Sequence, residues 1–429
     1  MSKQSTRRTL IFLALGAGLL LAACNAQGTA GEAEGALPRR DRTSARDLEV
    51  GEGTDFCDRY PQPTLEPFEP GPGNPLALLP NEHVMGAEDP LVTMILYGDL
   101  QCPGCDQLYE ALKEMVDRRP DEVRFVFRHF PLTAQYPASH LAAEASEAAF
   151  TQGGNEAFWA MLDLLYERQS EWGALSEVSL REVLTGYAEE LGLDTEMFAA
   201  ELEDGSYVAR IDFAQAAALE IGIQSAPTLF VNDLELDSPP PDPDALEAVL
   251  DVAILQMTYR EPPPMVIDPE KNYVAWIVTE KGTIAVDLFA DLAPETVNNF
   301  AYLACTGYYD DITWHRVLPG FVAQTGDPTG SGFGGPAYTI PDEYQGSGLR
   351  FDRAGLLSMA HTSQPDSARG QFFITLGPAE HLDGAFTIFG EVVDGMDVVE
   401  SLSPRDQSQS FEVLPPGDRL ETIIVREVD

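Results

Sequence analysis

Apolar positions in the first half of the chain follow the periods of strands and helices in turn. Residues 91–97 form an apolar run of the length expected for a buried parallel strand. Residues 108–116 then repeat apolar side chains at helical spacing, and residues 123–127 alternate as a second strand does. Residues from about 140 to 220 are helical in pattern, and a last helix starts near Pro243. This order predicts an α/β unit with a helical insertion.

The second half of the chain is dominated by short β-rich runs. Residues 273–279 and 283–289 are joined by a Glu-Lys-Gly sequence, which predicts a hairpin. Residues 294–306 have a helical pattern that ends at Gly307. The later β-rich runs are separated by glycine-rich loops, so this half is predicted to be a closed all-β barrel with flanking helices.

The first residues of the chain have the features of an export signal. Three basic residues precede an apolar stretch, residues 10–23, which is shorter than a membrane-spanning helix. The stretch ends in Leu-Ala-Ala directly before Cys24, which resembles the lipobox of bacterial lipoproteins. That resemblance implies that residues 1–23 are removed and that Cys24 carries a lipid. The alternative is an ordinary secretory signal that is cleaved before an unrelated cysteine.

Composition divides the rest of the chain. Residues 25–75 are rich in glycine, acid and proline without a period, which is typical of a flexible tether. Two proline-rich stretches, at 239–243 and 262–264, stand on either side of the last helix of the first domain. The predicted order is signal peptide, flexible membrane tether, first domain, stiff linker and second domain, at residues 1–23, 24–75, 76–259, 260–270 and 271–429.

The chain is strongly acidic, with 70 Asp and Glu residues against 26 Lys and Arg residues and a formal charge of -44. Such a surface repels phosphate backbones, which excludes nucleic acid as a partner. It also repels anionic lipids, so any contact with a membrane has to be apolar or covalent. With 44% hydrophobic residues, the chain still has enough apolar side chains for two cores.

A Cys-x-x-Cys sequence follows the first predicted strand and opens the predicted helix, with Cys102 at the helix start and Cys105 one turn in. In this context Cys102 and Cys105 are typical of a redox site. The unpaired N–H groups and the positive dipole end of a helix N-terminus lower the pKa of a thiol there. Cys102 is therefore expected to attack, and Cys105, less exposed, to resolve the mixed disulfide. A structural zinc half-site and a fixed structural disulfide are the alternatives.

These features resemble the thioredoxin fold in its DsbA-like branch. The residues that carry the resemblance surround the cysteines in that fold and are 98–105, 128–132 and 226–228. The resemblance implies that the Pro227 peptide bond is cis and that Pro227 presents backbone groups to an extended substrate peptide. Gly104 stands where DsbA-like oxidases often have histidine, so oxidase, isomerase and reductase roles all stay open. Asp99 either tunes the site, as in that family, or caps the helix.

The β-rich half contains several motifs in a fixed order. Residues 314–327 are Trp-His-Arg-Val-Leu-Pro-Gly-Phe-Val-Ala-Gln-Thr-Gly-Asp. The later motifs are Leu-Ser-Met-Ala-His at 357–361, Gln-Phe-Phe-Ile at 371–374, Leu-Asp-Gly at 382–384 and Phe-Gly at 389–390. Together they resemble the cyclophilin family of peptidyl-prolyl cis–trans isomerases through most of the second domain. The resemblance implies that family's fold and activity.

Rotation about an Xaa–Pro bond asks for little chemistry. Resonance sets a barrier of roughly 18–20 kcal/mol, and the proline nitrogen regains a lone pair in the twisted transition state. A fixed cationic donor aimed at that lone pair stabilises the twist selectively, and arginine suits the role because it stays charged. By the resemblance, Arg316 is that donor. No metal, nucleotide or other cofactor is required.

The resemblance also assigns residues around Arg316. The other catalytic positions that it implies are Phe321, Gln324 and Phe373. The positions that it implies for binding the proline ring or the flanking backbone are Val322, Ala360, His361, Gln371, His381, Leu382 and Phe386. The residues that depart from common family members are Val322 for Met, His361 for Asn, His381 for Trp, Phe386 for His, and Arg369-Gly370 for Gly-Ser. The absence of Trp at 381 is expected to weaken cyclosporin binding without removing catalysis, and a surface polar role is the alternative for both histidines.

Two cysteines have no role in this scheme. Cys305 is either a small buried apolar residue on its predicted helix, or it forms a bridge with Cys57 across the two domains. His315, beside Arg316, is expected to be a structural histidine rather than a catalytic one.

The sequence as a whole predicts a lipid-anchored folding catalyst of the cell envelope that acts on unfolded or proline-containing exported polypeptides. The cyclophilin-like domain would isomerise Xaa–Pro bonds, and Cys102 and Cys105 would exchange disulfides with clients and with a redox partner. The lipid on Cys24 would hold the chain at the membrane. The alternative is a chaperone-like or scaffold lipoprotein whose sites bind peptide with little turnover.

Overall fold

The computed structural model of the protein describes residues 9–10, 44–65, 74, 76–78, 81–236, 239–406 and 416–429. The chain forms two compact units: Met1–Leu13 with Glu66–Ile254, and Ala14–Leu65 with Leu255–Asp429. Cys24, the expected site of the lipid, lies outside the described residues. Within the described ranges, no helix has both the length and the apolar character needed to cross a lipid bilayer.

The first unit is built on a six-stranded sheet. Its strands are β1 (Thr9–Leu10), β2 (His83–Gly86), β3 (Val92–Gly98), β4 (Val123–His129), β5 (Thr228–Val231) and β6 (Leu234–Leu236). They lie in the order β1-β6-β5-β3-β4-β2, with β3 parallel to β4 and antiparallel to β5. Strand β3 is buried along its whole length, as its apolar run predicts.

Helices cover this sheet and form the predicted insertion. They are α1 (Cys105–Arg118), α2 (Ser139–Glu167), α3 (Gln169–Trp172), α4 (Glu177–Glu190), α5 (Thr195–Glu203), α6 (Val208–Glu220) and α7 (Pro243–Thr258). Helix α1 packs Leu108, Leu112 and Met115 into the core of the unit. Helices α2 to α6 lie between β4 and β5 in the chain, which confirms a thioredoxin-like α/β fold with a helical insertion. Helix α2 is interrupted at Gly154, whose φ of 66° suits glycine.

The second unit is a nine-stranded antiparallel sheet. Its strands are β7 (Asn272–Thr279), β8 (Gly282–Leu288), β9 (Ile312–Thr313), β10 (Arg316–Leu318), β11 (Val322–Thr325), β12 (Leu356–Met359), β13 (Phe372–Thr375), β14 (Ile388–Asp394) and β15 (Arg419–Val428). Its helices are α8 (Pro294–Cys305) and α9 (Met396–Glu400). Strands β7 and β8 form the predicted hairpin. The sheet order β10-β11-β13-β12-β14-β8-β7-β15-β9 confirms a cyclophilin-like all-β unit, as a curled sheet with β10 and β9 at its edges.

The second unit also includes a stretch of chain from ahead of the first unit. We call residues 44–65 of this stretch the N-terminal strap. Its side chains Phe56 and Tyr60 are buried in the same core as α8. Thr54 pairs with Glu427 of β15. The predicted flexible tether over 24–75 is therefore wrong for the strap, because its aromatic side chains are held in a core.

A disulfide fixes the strap to α8. Cys57 lies on a short 3-10 turn (Cys57–Arg59) and is bonded to Cys305, the last residue of α8. Of the two alternatives for Cys305, the bridge is therefore the one that forms. The bridge lies within the second unit, because the strap belongs to that unit. It therefore does not join the two domains, as the sequence-based alternative assumes.

Asn298 of α8 connects the strap with the start of the second unit. Its buried side-chain oxygen accepts hydrogen bonds from the hydroxyl of Tyr60 at 3.0 Å and from the N–H of Val266 at 2.9 Å. Its side-chain nitrogen donates to the carbonyl of Pro264 at 3.1 Å. Part of the predicted linker, residues 260–270, is thus packed against the second unit rather than free of it.

We expect the Cys57–Cys305 disulfide to stabilise the second unit. Removing it in Cys57→Ser/Cys305→Ser should lower the free energy of unfolding of that unit by about 2–4 kcal/mol. Denaturant-dependent hydrogen exchange of the backbone amides of β7 and β8, which belong to this unit, measures the change.

The matched control is Cys102→Ser/Cys105→Ser, which removes the disulfide of the other unit. It should leave the free energy of unfolding of the second unit where it is. An unchanged free energy in Cys57→Ser/Cys305→Ser would show that the bridge adds nothing to stability.

Candidate active sites

Strand register brings three predicted residues of the second unit into a row. Arg316 on β10 lies opposite Gln324 on β11, and Gln324 lies opposite Phe373 on β13. Directly opposed residues of antiparallel strands point to the same face, with Cβ atoms roughly 4.5–5.5 Å apart. The side chains of Arg316, Gln324 and Phe373 therefore project next to one another.

An apolar cluster lies beside this row and is separate from the main core of the unit. The predicted residues that belong to it or pack against it are Val322, Phe373, Leu382, Phe321, Ala360 and Phe386. Two histidines border it: the ring of His381 is 5.3 Å from that of Phe321, and the ring of His361 is 4.2 Å from that of Phe386. The structure thus brings together the residues that the resemblance assigns to the isomerase site; their roles stay predictions.

The guanidinium of Arg316 is half-buried. Burial lowers the pKa of Arg316, and the negative charge of Asp406 acts in the opposite direction. The Nη1 atom is buried and has no hydrogen-bond partner within the described ranges. Buried donors are nearly always paired in folded proteins, so this one is suited to an acceptor brought in by a ligand.

A chain of amide hydrogen bonds fixes Gln324. Its Nε2 donates to Oε1 of Gln371 at 2.9 Å. The Nε2 of Gln371 donates in turn to the carbonyls of Gly332 and Gly334, at 2.9 and 3.0 Å. Gln324 and Gln371 therefore have fixed orientations, as residues that bind a peptide backbone need.

Asp327 holds the loop that Gln371 contacts, and the sequence analysis did not identify this role. Its buried carboxylate accepts hydrogen bonds from the N–H groups of Gly332 and Gly334, at 2.6 and 3.0 Å. A Cβ atom on Gly334 would lie 2.0 Å from Oδ1 of Asp327, so the position requires glycine. The sequence signal was an Asp followed by Thr329 and Ser331 among glycines, which is typical of Asx turns.

Two neighbouring positions are explained by packing. A Cβ atom on Gly370 would lie 2.6 Å from the hydroxyl of Tyr308, so the buried tyrosine excludes the serine common in the family. His315 is buried, and burial lowers its pKa to about 4. A neutral buried imidazole at neutral pH agrees with the expected structural role.

The predicted redox pair of the first unit is a disulfide. Cys102 and Cys105 are bonded to each other, and α1 begins at Cys105. The expectation that the helix starts at Cys102 is wrong, because Gly104 has a φ of 81°, which an α-helix does not accommodate. The two residues are also 2% and 0% exposed, so Cys102 is barely more accessible than Cys105.

Asp99 directly follows β3, and Pro227 directly precedes β5, which pairs with β3. The buried carboxylate of Asp99 accepts from the N–H groups of Gln101 and Leu132 at 2.7 and 2.6 Å, and burial raises its pKa. Asp99 therefore does not cap α1. The Ala226–Pro227 bond is cis, as predicted. Because Thr228 lies opposite Tyr97 of β3, the register places Pro227 beside the end of that strand.

Comparison with known families agrees with both folds. Residues 274–424 match the family described as cyclophilin type peptidyl-prolyl cis-trans isomerase/CLD, and residues 79–252 match the family described as thioredoxin. These two matches cover one unit each.

Curated relatives match the second unit. Peptidyl-prolyl cis-trans isomerase B of Bacillus subtilis is 42% identical over 138 residues, which are 32% of this chain and 95% of that protein. Peptidyl-prolyl cis-trans isomerase-like 2 of Rhizopus delemar is 46% identical over 148 residues, which are 33% of this chain. The chain spans only 27% of the length of that second relative.

Two solved structures are similar to parts of this chain. A cyclophilin type peptidyl-prolyl isomerase of Cryptosporidium parvum, determined with the dipeptide Ala-Pro, is 33% identical and covers 36% of this chain and 98% of its own, with a TM-score of 0.33. Oxidised BdbD of Bacillus subtilis is 20% identical and covers 46% of this chain and 97% of its own, with a TM-score of 0.37. Residues 79–252 are thioredoxin-like and precede the cyclophilin-like residues 274–424. Through the latter, the chain belongs to the cyclophilin-type peptidyl-prolyl cis–trans isomerase family.

Proposed function

We propose that this chain is an extracytoplasmic, lipid-anchored folding catalyst that isomerises Xaa–Pro bonds and exchanges disulfides in exported polypeptides. The row of Arg316, Gln324 and Phe373 beside an apolar cluster carries the proposal. It combines a cationic donor that lacks a partner at Nη1, within the described ranges, with a surface that suits a proline ring.

Two observations support the cellular setting. The Leu-Ala-Ala sequence before Cys24 has the form of a lipoprotein signal. The other four cysteines form two disulfides, which persist in oxidising compartments outside the cytosol. Since the surface is strongly acidic, membrane contact has to be apolar or covalent, and a lipid on Cys24 would meet that requirement.

Isomerisation follows from the arrangement of the second unit. The apolar cluster holds the proline ring, and the fixed amides of Gln324 and Gln371 hold the flanking backbone. Arg316 then donates to the proline nitrogen as it becomes pyramidal. Because that lone pair is available only when the amide is twisted, the donor stabilises the transition state and not the planar substrate.

Disulfide exchange uses the pair in the first unit. A client thiolate attacks Sγ of Cys102, and Cys105 leaves as the thiolate. A second client thiol then attacks the mixed disulfide, which transfers two electrons to the pair and leaves a disulfide in the client. The reverse sequence reduces or rearranges client disulfides, and the reduction potential of the pair decides the direction.

Arg316→Ala should reduce the catalysed isomerisation of an Xaa–Pro peptide by about 10²-fold or more, because it removes the donor from the transition state. A chymotrypsin-coupled assay with a proline peptide measures the rate. Arg316→Lys keeps the positive charge but loses the planar, rigid guanidinium group, so this variant should retain only part of the activity.

The matched control is Arg353→Ala, which removes a part-exposed arginine of the same unit that pairs with Glu391 and Asp352. It should keep the wild-type rate. Equal rates in wild type and in a folded Arg316→Ala protein would favour the alternative function, a chaperone-like lipoprotein that binds peptide without turnover. The altered positions His381, Arg369 and Gly370 are the observations that favour that alternative.

Cys102→Ser should abolish the reduction of insulin by dithiothreitol that the wild-type chain catalyses, since no mixed disulfide forms at a serine. Turbidity from the released insulin chains measures the rate. Cys57→Ser/Cys305→Ser should keep the wild-type rate, because that disulfide belongs to the other unit. Undiminished reduction by Cys102→Ser would assign the activity to another thiol.

A further inference from the structure

Two histidines and a glutamate meet inside the thioredoxin-like unit, away from the cysteine pair. His83 lies on β2, His129 ends β4, and Glu147 lies on α2. All three are almost completely buried, at 4%, 3% and 2% exposure. The chain has only six histidines, so two buried ones beside a single carboxylate form an unusual concentration of ligand groups. Neither proposed reaction uses them.

The local fold turns both imidazoles toward this carboxylate. Strands β2 and β4 are paired, with His83 opposite Phe127, and His129 follows two residues later on the same face of β4. The ring of His83 stacks on Phe158 of α2 at 3.5 Å, and the ring of His129 meets Phe127 edge-on at 5.3 Å. These aromatic contacts fix the planes of both imidazoles.

The polar contacts of both imidazoles are made through the same ring atom, Nε2. The Nε2 atom of His83 lies 2.9 Å from Oε1 of Glu147, whereas that of His129 lies 3.6 Å from the same oxygen and 3.2 Å from the hydroxyl of Ser146. Both Nδ1 atoms are buried and have no hydrogen-bond partner in the described part of the chain. One ligand atom from each of the three residues lies within 4.8 Å of those of the other two.

These separations fit a common metal ion. Zinc binds imidazole nitrogen and carboxylate oxygen at about 2.0–2.2 Å, and a tetrahedral site with such bonds places its ligands about 3.4 Å apart. The observed distances lie on both sides of that value, at 2.9 and 3.6 Å for the two pairs with Glu147. A set of two imidazoles and one carboxylate favours zinc and its transition-metal neighbours over calcium or magnesium, which prefer oxygen ligands.

Arg210 contacts the carboxylate and, within the described ranges, is the only arginine or lysine that forms an ion pair with it. Its Nε lies 3.0 Å from Oε2 of Glu147, and its Nη2 lies 3.4 Å from Nε2 of His83. The contact with Oε2 is an ion pair without hydrogen-bond geometry, and it balances the charge of the carboxylate. Because the side chain of Arg210 is 40% exposed, its Nη2 atom has room to move away from His83 while Nε keeps its contact with Oε2. The cluster is therefore already arranged to hold positive charge.

We propose that Nε2 of His83, Nε2 of His129 and Oε1 of Glu147 form a buried three-ligand site for a zinc-class divalent cation, with water as the fourth ligand. The bound ion would connect β2, β4 and α2, which come from separate parts of the unit. Its main effect would be to stabilise the thioredoxin-like unit, because an ion that binds only the folded state shifts the unfolding equilibrium.

The test uses the oxidised full chain with both disulfides intact and Cys24 replaced by serine, so that no free thiol binds the metal. After treatment with a chelator, Co²⁺ is titrated in excess Mg²⁺, which occupies the acidic surface. We expect one equivalent of Co²⁺ with the visible absorption of a four-coordinate nitrogen and oxygen site. Zn²⁺ should displace it and raise the melting temperature of the unit by roughly 5 °C at about one hundred times Kd.

Variants locate the site. His129→Gln and Glu147→Gln should each weaken Zn²⁺ binding at least about tenfold. The matched control is His140→Ala, which removes the third histidine of this unit: it pairs with Glu144 and Asp212 and contributes no ligand. This control should bind Zn²⁺ as the wild type does.

Each of the following outcomes would overturn the proposal: no Co²⁺ absorption in the wild type, a Ca²⁺ preference over Zn²⁺, or equal affinity in Glu147→Gln and wild type. A loss in His140→Ala as large as in His129→Gln would do the same. If the ligand variants do not fold, X-ray absorption of the Zn²⁺-loaded wild type decides, because the proposal requires two imidazole ligands and no sulfur.

Discussion

Direct opposition of residues across an antiparallel ladder is the constraint on which the isomerase site depends. A slip of one residue between β10 and β11 would turn Arg316 to the other face of the sheet. Two cores prevent that slip. Val317 of β10 and Ala323 of β11 lie opposite each other and are buried in the main core of the unit, whereas Val322 is buried in the cluster on the opposite face. The register that aligns the site is thus fixed by apolar packing on both faces.

The polar part of the same site is held by a buried carboxylate. Asp327 fixes the backbone of the glycine loop, the loop carbonyls orient Gln371, and Gln371 orients Gln324. Without these hydrogen bonds, the loop and the two side-chain amides would be free to adopt many orientations. The amides that we propose to bind the substrate are therefore ordered in advance, which would lower the entropic cost of binding.

Much of the fold was predictable because its signals are local. The apolar run of β3, the hairpin at Gly282 and the start of α7 at Pro243 each depend on a few consecutive residues. The residues assigned around Arg316 lie in motifs that are continuous in sequence, and the structure brings these residues together, although their roles stay predictions. The start of α1 was misplaced by three residues because helical periodicity does not reveal the positive φ of Gly104.

The missed features all join residues that are distant in the chain. The strap has a composition typical of tethers, and only the core of the second unit gives Phe56 and Tyr60 a buried position. Asn298 satisfies its side chain with groups from two other segments. His83, His129 and Glu147 are isolated in the sequence and meet only when β2, β4 and α2 pack. No local pattern indicates such contacts.

The separation of 248 residues between Cys57 and Cys305 has a consequence for how the chain is made. At about 5–20 residues per second, the ribosome needs roughly 10–50 s to add the residues between them. Through that interval Phe56 and Tyr60 have no partner surface, and the thioredoxin-like unit is completed before the second unit has its sheet. The nascent chain must therefore keep an aromatic segment soluble while one whole unit is synthesised, and the acidic residues around that segment suit this task.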